Sequence, residues 1–409
     1  MAVSSYQDGV DEPLLVSVVQ PDFCLRQQAM KKNRLFTPGP VMVPEEVLLE
    51  MAKPMEHHRT GWYRDLHKEL CELLQYLFQT KGTCLTFTGS GTSAMEGLIV
   101  GSCPPGHKAL VIENGKFSER WVEVCETFGI DHTTMHIEWG HGAKPKQIEE
   151  AMSADSKIDT VIVVHSETST ATRSDVEGIA KITRDRGALL LVDGITAVGA
   201  IPIKMDAWGI DGYVTGSQKA LMLPPGLGFA AVNDRVWERV DSGKMPTLYN
   251  DLKAYRKSLE TFDAPYTPNV SLVRGATLIL RGIKERTLEA IWAETALLAK
   301  ATRAAAEAMG LKIFSSDPVD SVTAMLVPDG VDEAALRKTM RAKHGYQIAG
   351  GQGQIKGKII RLSHMGYLDA FDTLGVIAAL EMCLQAQEFA VDSGTGLTAA
   401  QRVFAEAMR

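Results

Sequence analysis

None of the six cysteines (Cys24, Cys71, Cys84, Cys103, Cys125 and Cys383) forms a Cys-x-x-Cys pair, and no zinc-type histidine motif accompanies them. Thiols scattered in this way argue against a disulfide framework or a structural zinc, and for a reducing compartment. Positive charge is not in excess either. The 43 Lys and Arg stand against 50 Asp and Glu, giving a net charge of -7 and a pI near 5.9. Such a chain carries no basic field for nucleic acid or an anionic membrane. No apolar run reaches membrane-spanning length, and the N-terminus lacks a basic segment followed by an apolar one. Internal repeats and low-complexity tracts are missing as well. The expectation is a soluble, cytoplasmic protein without nucleic-acid or membrane partners.

What is present is 45% hydrophobic residues, enough for a sizeable core in one large or two medium domains. Residues 1–33 show no sustained period and read as an extension, either mobile or lying on a partner subunit. Order is expected from Leu35-Phe36-Thr37-Pro38-Gly39-Pro40, with a helix from Pro44. A second helix is predicted over 61–79, where Leu66, Leu70, Leu73, Leu74 and Leu77 recur at three and four residues. Short apolar runs at 84–88, 109–112, 160–164, 188–192, 212–215 and 229–232 then alternate with helical patterns. This alternation predicts a mostly parallel α/β sheet covered by helices on both faces. Ligands bind such sheets at the carboxyl ends of the strands, at a topological switch point. From about Val270 the texture changes to an alanine-rich helical region reaching Met309. Strand-like 322–327 and 359–363 and helix-like 333–343 and 369–386 follow. The chain is expected to comprise an extension (1–33), a large α/β domain (34–269) and a smaller C-terminal α+β domain (270–409).

Polar residues gather at the ends of four predicted strands. Thr88-Gly89-Ser90-Gly91-Thr92-Ser93-Ala94 has the glycines and helix start that suit an anion, without the P-loop or dinucleotide spacing. Leu189–Val192 ends in Asp193. The run His165-Ser166-Glu167-Thr168-Ser169-Thr170 is loaded with hydroxyls, and His165 reads as a hydrogen-bonded structural group. The fourth strand leads into Gly216-Ser217-Gln218-Lys219-Ala220, and Lys219 is the one charged residue between Val214 and Ala231. Singly these are an N-cap, a capping carboxylate and a surface lysine. Jointly they suit pyridoxal 5'-phosphate. Partial burial lowers a lysine's pKa toward the neutral amine that bonds an aldehyde. A carboxylate such as Asp193 keeps the cofactor's ring nitrogen protonated.

The set resembles the class V aminotransferases of pyridoxal-phosphate fold type I, above all the alanine–glyoxylate and serine–pyruvate aminotransferase group. Asp193 is followed 26 residues later (219 − 193) by Ser217-Gln218-Lys219. Pro38-Gly39-Pro40, Ser90-Gly91, Glu167-Thr168-Ser169-Thr170, Pro224-Pro225-Gly226 and Gly357-Lys358 with Arg361 occur in the family's order. The resemblance implies that Lys219 and Asp193 are catalytic. It implies that Ser90, Gly91, Thr92 and Gln218 bind the phosphate, with Thr267 of the partner subunit contributing in a homodimer. Phe117 would stack on the cofactor ring. Thr168 and Ser169 would face either its phenolic oxygen or the phosphate. Arg361 would clamp the substrate carboxylate, which a guanidinium fork matches and a lysine does not.

The implied reaction moves an amino group from a small alanine- or serine-like amino acid to a 2-oxo acid such as glyoxylate or pyruvate, in two half-reactions. The alternatives are a lyase or desulfurase on the same fold, a pyridoxamine–pyruvate-type aminotransferase, and a non-catalytic hydrogenase-associated subunit. The loop Gly350-Gly351-Gln352-Gly353-Gln354 has no cysteine, which counts against a desulfurase. The glutamate and extra arginine of pyridoxamine–pyruvate aminotransferase are Ser90 and Gln352 here. One departure concerns the phosphate: the family's tyrosine before the threonine is displaced, with Tyr266 directly adjoining Thr267.

Overall fold

The computed structural model describes residues 32–244 and 246–409, so all but the last two residues of the predicted extension lie outside the described residues. Arg34–Arg409 form one compact unit. Its central sheet contains β1 (Thr83–Gly89), β2 (Lys108–Glu113), β3 (His132–His136), β4 (Ile158–Val164), β5 (Leu189–Asp193), β6 (Gly212–Gly216) and β7 (Gly226–Val232). The spatial order is β1-β7-β6-β5-β4-β2-β3. Only β7 is reversed, pairing antiparallel with β1 and β6, while the other pairings are parallel. This is the mostly parallel sheet expected from the six apolar runs, with β3 added at one edge where no apolar run marks it.

The middle strands carry long apolar runs because both faces are covered. Successive residues alternate between two cores, as the strand period of two requires. Leu190, Val192, Tyr213 and Phe229 join one core, and Leu189, Leu191, Val214 and Ala230 the other. The main helices are α1 (Glu45–Met51), α2 (Gly61–Phe78), α3 (Gly91–Ser102), α4 (Lys116–Phe128), α5 (Pro145–Ala154), α6 (Val176–Asp185), α7 (Val270–Arg286), α8 (Leu288–Ala308), α9 (Ala370–Gln385) and α10 (Thr395–Ala407). The leucine stripe of α2 seats Leu70, Leu73, Leu74 and Leu77 in the first core, while Met95 and Leu98 of α3 and Trp121 of α4 fill the second.

The long alanine-rich region is two helices. Thr287, at φ 69°, breaks it, and its side chain accepts a hydrogen bond from Ala290 N (3.3 Å) to start α8. The break also marks a change of core. Val273, Ala276 and Leu280 of α7 lie with the central sheet, whereas Leu298, Ala301 and Ala305 of α8 lie with α9 and α10. That second core rests against an antiparallel sheet of β8 (Val322–Leu326), β9 (Ala349–Gly350) and β10 (Ile359–Ser363). The C-terminal tail is not loose: the buried Glu381 of α9 accepts N–H bonds from Gly394, Gly396 and Leu397 at the start of α10. No helix among the described residues is long and apolar enough to cross a membrane.

Candidate active site

From β2 the chain leads outward to β3, and from β4 it leads the other way through β5 and β6. The carboxyl edge at this switch point holds a small cavity. Its walls are Ser90, Gly91 and Thr92 after β1, Phe117 and Arg120 from α4, Val164, Ser166 and Thr168 around the end of β4, Asp193, Ile195 and Thr196 at the end of β5, and Gln218 and Lys219 after β6. Eight of the predicted site residues are thereby brought together.

Lys219 is only 8% exposed. Its Nζ donates to the carbonyl of Pro38 (2.7 Å) and lies 6.0 Å from the centre of the Phe117 ring. Burial lowers its pKa to about 8; Arg361 and Arg120 push in the same direction, and Asp193 opposes them. The Pro38-Gly39-Pro40 turn covers this side chain closely. A Cβ on Gly39 would meet Lys219 Cδ and Nζ at 2.5 Å, and φ +104° there already favours glycine.

Asp193 faces the same space from β5. Trp121 Nε1 donates to Oδ2 (3.0 Å) and Ile195 N to Oδ1 (2.9 Å). Burial nevertheless raises its pKa to about 7, helped by the nearby Glu167.

At the amino end of α3, Ser90, Gly91 and Thr92 line the cavity, and the Ser90 hydroxyl makes no capping bond to the helix. Gln218 Oε1 is buried there without a hydrogen-bond partner. Phe117 is set by Glu167, whose buried carboxylate accepts from Phe117 N (3.3 Å) and Ser118 N (3.0 Å). Ser169 is not brought into the cavity. Its hydroxyl donates to Glu167 and accepts from Lys116 N (2.9 Å), so it supports the α4 start instead. Thr168 does line the cavity, with its hydroxyl 2.8 Å from that of Thr196. His165 is buried and bonded to the Tyr213 hydroxyl, and burial lowers its pKa to about 3, so it stays neutral.

Arg361 comes from β10 and is 5% exposed. It donates to the carbonyls of Gly350 (3.0 and 2.7 Å) and Thr168 (2.7 Å), and to Gln352 Oε1 (3.4 Å). It forms no salt bridge to a carboxylate among the described residues. Burial lowers its pKa to about 10. Thr267 stands apart from the rest, exposed in the segment before α7 and outside the cavity of its own chain.

The family description "Aminotransferase class-V" matches residues 35–359. The chain belongs to the class V aminotransferases. It is therefore a pyridoxal-phosphate-dependent aminotransferase, as the ordered motifs implied. The aminotransferase is 38% identical to the soluble hydrogenase 42 kDa subunit of Anabaena cylindrica, over 91% of this chain and 99% of that one. It is 36% identical to the serine–glyoxylate aminotransferase of Methylorubrum extorquens, over 92% and 96% of the two chains. Its fold matches the ureidoglycine–glyoxylate aminotransferase of Bacillus subtilis with a TM-score of 0.87 and 27% identity, covering 92% and 98%.

The residues present fit the cofactor. A buried amine and a buried carboxylate line one cavity, which also holds a helix amino end and a serine hydroxyl that makes no capping bond. Two groups of the aminotransferase escaped the sequence reading: Arg120, which lines the cavity, and Trp121, which reaches the cavity only through its bond to Asp193. Arg120 and Trp121 lie three and four residues beyond Phe117, on the same face of α4. That spacing was the available signal.

Proposed function

We propose that the enzyme moves an amino group from a small neutral amino acid of the alanine or serine kind to a 2-oxo acid such as glyoxylate or pyruvate. The observation that carries this reading is Arg361. A cation so buried, bonded only to neutral acceptors, is costly to keep without a counter-charge. A substrate carboxylate answers that need, and the guanidinium's planar fork orients it. Glyoxylate in the names of the Methylorubrum and Bacillus proteins supports a small acceptor.

On this reading Lys219 is the covalent anchor and then the base. Its Nζ takes the proton from the substrate α-carbon and returns it during transfer, a task suited to an amine held near pH 8. Asp193 holds a proton at the cofactor's ring nitrogen. Bound there, the cofactor supplies the sink for the electrons released at the α-carbon. Ser90, Gly91, Thr92 and Gln218 would hold its phosphate, Phe117 would pack against its ring, and Thr168 would bond its phenolic oxygen or phosphate. Thr267 reaches a phosphate only across a subunit boundary, so we propose a homodimer, located in the cytoplasm. Exposed Leu48, Leu49, Met55, Leu248 and Tyr249 offer apolar surface for a second copy.

The test is a panel of amino donors crossed with glyoxylate, pyruvate and 2-oxoglutarate. Transfer from alanine or serine to glyoxylate or pyruvate is expected. Transfer confined to aspartate or glutamate, or ammonia or sulfide release without an oxo acid, would overturn the reading. The hydrogenase-subunit name of the Anabaena relative favours a second reading, a partner protein without turnover. Cofactor binding without transfer on any donor would support it.

A further inference from the structure

We propose that Arg120 supplies the fixed positive charge of the phosphate subsite, a binding role beyond the residues named so far. The inference rests on reading the turn at Ser90 as that subsite.

A phosphate ester carries a charge of about -1.5 to -2 at neutral pH. The groups assigned to it above are all neutral: serine and threonine hydroxyls, backbone N–H groups and an amide. They hydrogen-bond the anion without neutralising it. The cavity walls contain two cations, Lys219 and Arg120. Lys219 is committed to the covalent link, which leaves Arg120.

Its position suits the task. Arg120 Nη1 donates to Thr92 Oγ1 (3.0 Å), a side chain in the first turn of α3. That bond directs the guanidinium to the helix amino end, where backbone N–H groups and the helix dipole already favour an anion. Thr92 is its one side-chain acceptor, and it has no carboxylate partner among the described residues. Most of its five N–H donors therefore remain for a ligand. Its guanidinium carbon also lies 5.5 Å from the centre of the Phe117 ring, so the aromatic and the cation are held as one unit. The charge is felt through the cavity, since Arg120 lowers the pKa of both Lys219 and Asp193. A phosphate bound beside it would cancel that field.

The test titrates cofactor-free wild type, Arg120→Met and Arg120→Lys with pyridoxal phosphate and, separately, with pyridoxal, which has no phosphate. Absorbance of the lysine-bound ligand gives each affinity. Arg120→Met should bind pyridoxal phosphate about tenfold to a hundredfold more weakly, the usual size of a lost charge-assisted bond, and pyridoxal as well as before. Arg120→Lys should fall between them. Inorganic phosphate should compete with pyridoxal phosphate less effectively in Arg120→Met. A wild type that does not prefer pyridoxal phosphate to pyridoxal would sink the phosphate subsite itself. A preference retained undiminished in Arg120→Met would overturn the role of Arg120 while leaving the subsite intact. Equal loss for both ligands would overturn it too, by making Arg120 a support for the Phe117 ring. Should Arg120→Met bind neither ligand, the same ratio measured on Arg120→Lys and Arg120→Gln decides.

Discussion

Trp121 and Asp193 are joined by one hydrogen bond, indole Nε1 to carboxylate Oδ2 at 3.0 Å, with both side chains buried. The bond favours the ionised carboxylate and so works against the burial that raises Asp193 to about 7. Trp121→Phe keeps the packing and removes the donor. A bond to a charged group contributes about 1.5–3 kcal/mol, which corresponds to about one pKa unit or more. The acid limb of the kcat profile should therefore move upward by at least about one unit. An unmoved limb with a merely scaled rate would show that the indole only packs.

The same burial makes Asp193 a cost to the cofactor-free fold. Its pKa rises from 3.8 in the unfolded chain to about 7, so the native state binds more protons between those values. Stability then falls as pH rises through that window, and the cost is complete above about 7. Asp193→Asn should raise the Tm of the cofactor-free protein at pH 8, although it abolishes transfer. The gain should shrink as pH falls from about 7 toward 4 and vanish below it. Melting curves at pH 4, 6 and 8 measure this, and a gain that grows on acidification would contradict the assignment.

Lys219 gives a kinetic counterpart. With its pKa lowered to about 8, the amine is mostly protonated at pH 6.5 and mostly free at pH 9.5. The rate at which cofactor-free protein gains its yellow absorbance should rise with pH, with a midpoint near 8. Borohydride should fix the cofactor to Lys219, and Lys219→Ala should form no link. A midpoint near the ordinary lysine value would mean that the amine meets solvent before binding.

How far the sequence could be read depended on which surfaces each residue faces. The middle strands were legible because both faces are covered, which leaves runs such as Leu189–Val192 without a polar residue. β3 was not, since His-Thr-Thr-Met-His is an edge strand whose residues are half exposed and need no apolar run. The strand-end groups Ser90, Asp193 and Lys219 were legible because each interrupts or ends an apolar run. Trp121 and Arg120 were hidden inside an amphipathic helix, where an aromatic reads as core and an arginine as solvated surface. The position of Ser169, beside Glu167 and outside the cavity, was hidden for a related reason. A hydroxyl in a polar run does not reveal whether it meets a ligand or, as here, a buried carboxylate. Thr287 broke the long helix without a glycine or proline to announce it.

Arg361 offers a test of the proposed clamp on the substrate carboxylate. Its three donor groups are already directed by the carbonyls of Gly350 and Thr168, so the fork is preset and little entropy remains to lose on binding. Arg361→Lys keeps a charge but not the fork, and a shorter ammonium cannot reach both carbonyls and a carboxylate. Arg361→Ala removes the cation and leaves those carbonyls without a donor, so some loss of stability is expected beside the loss of function. Truncating one partner of a desolvated charge pair costs about 2–5 kcal/mol. For Arg361→Ala the loss in kcat/KM should be of that order for an amino acid donor. It should be much smaller for a simple amine that lacks the carboxylate. The ratio between the two donors cancels any general damage to the fold. A ratio unchanged from wild type would remove the carboxylate from Arg361 and place its recognition elsewhere.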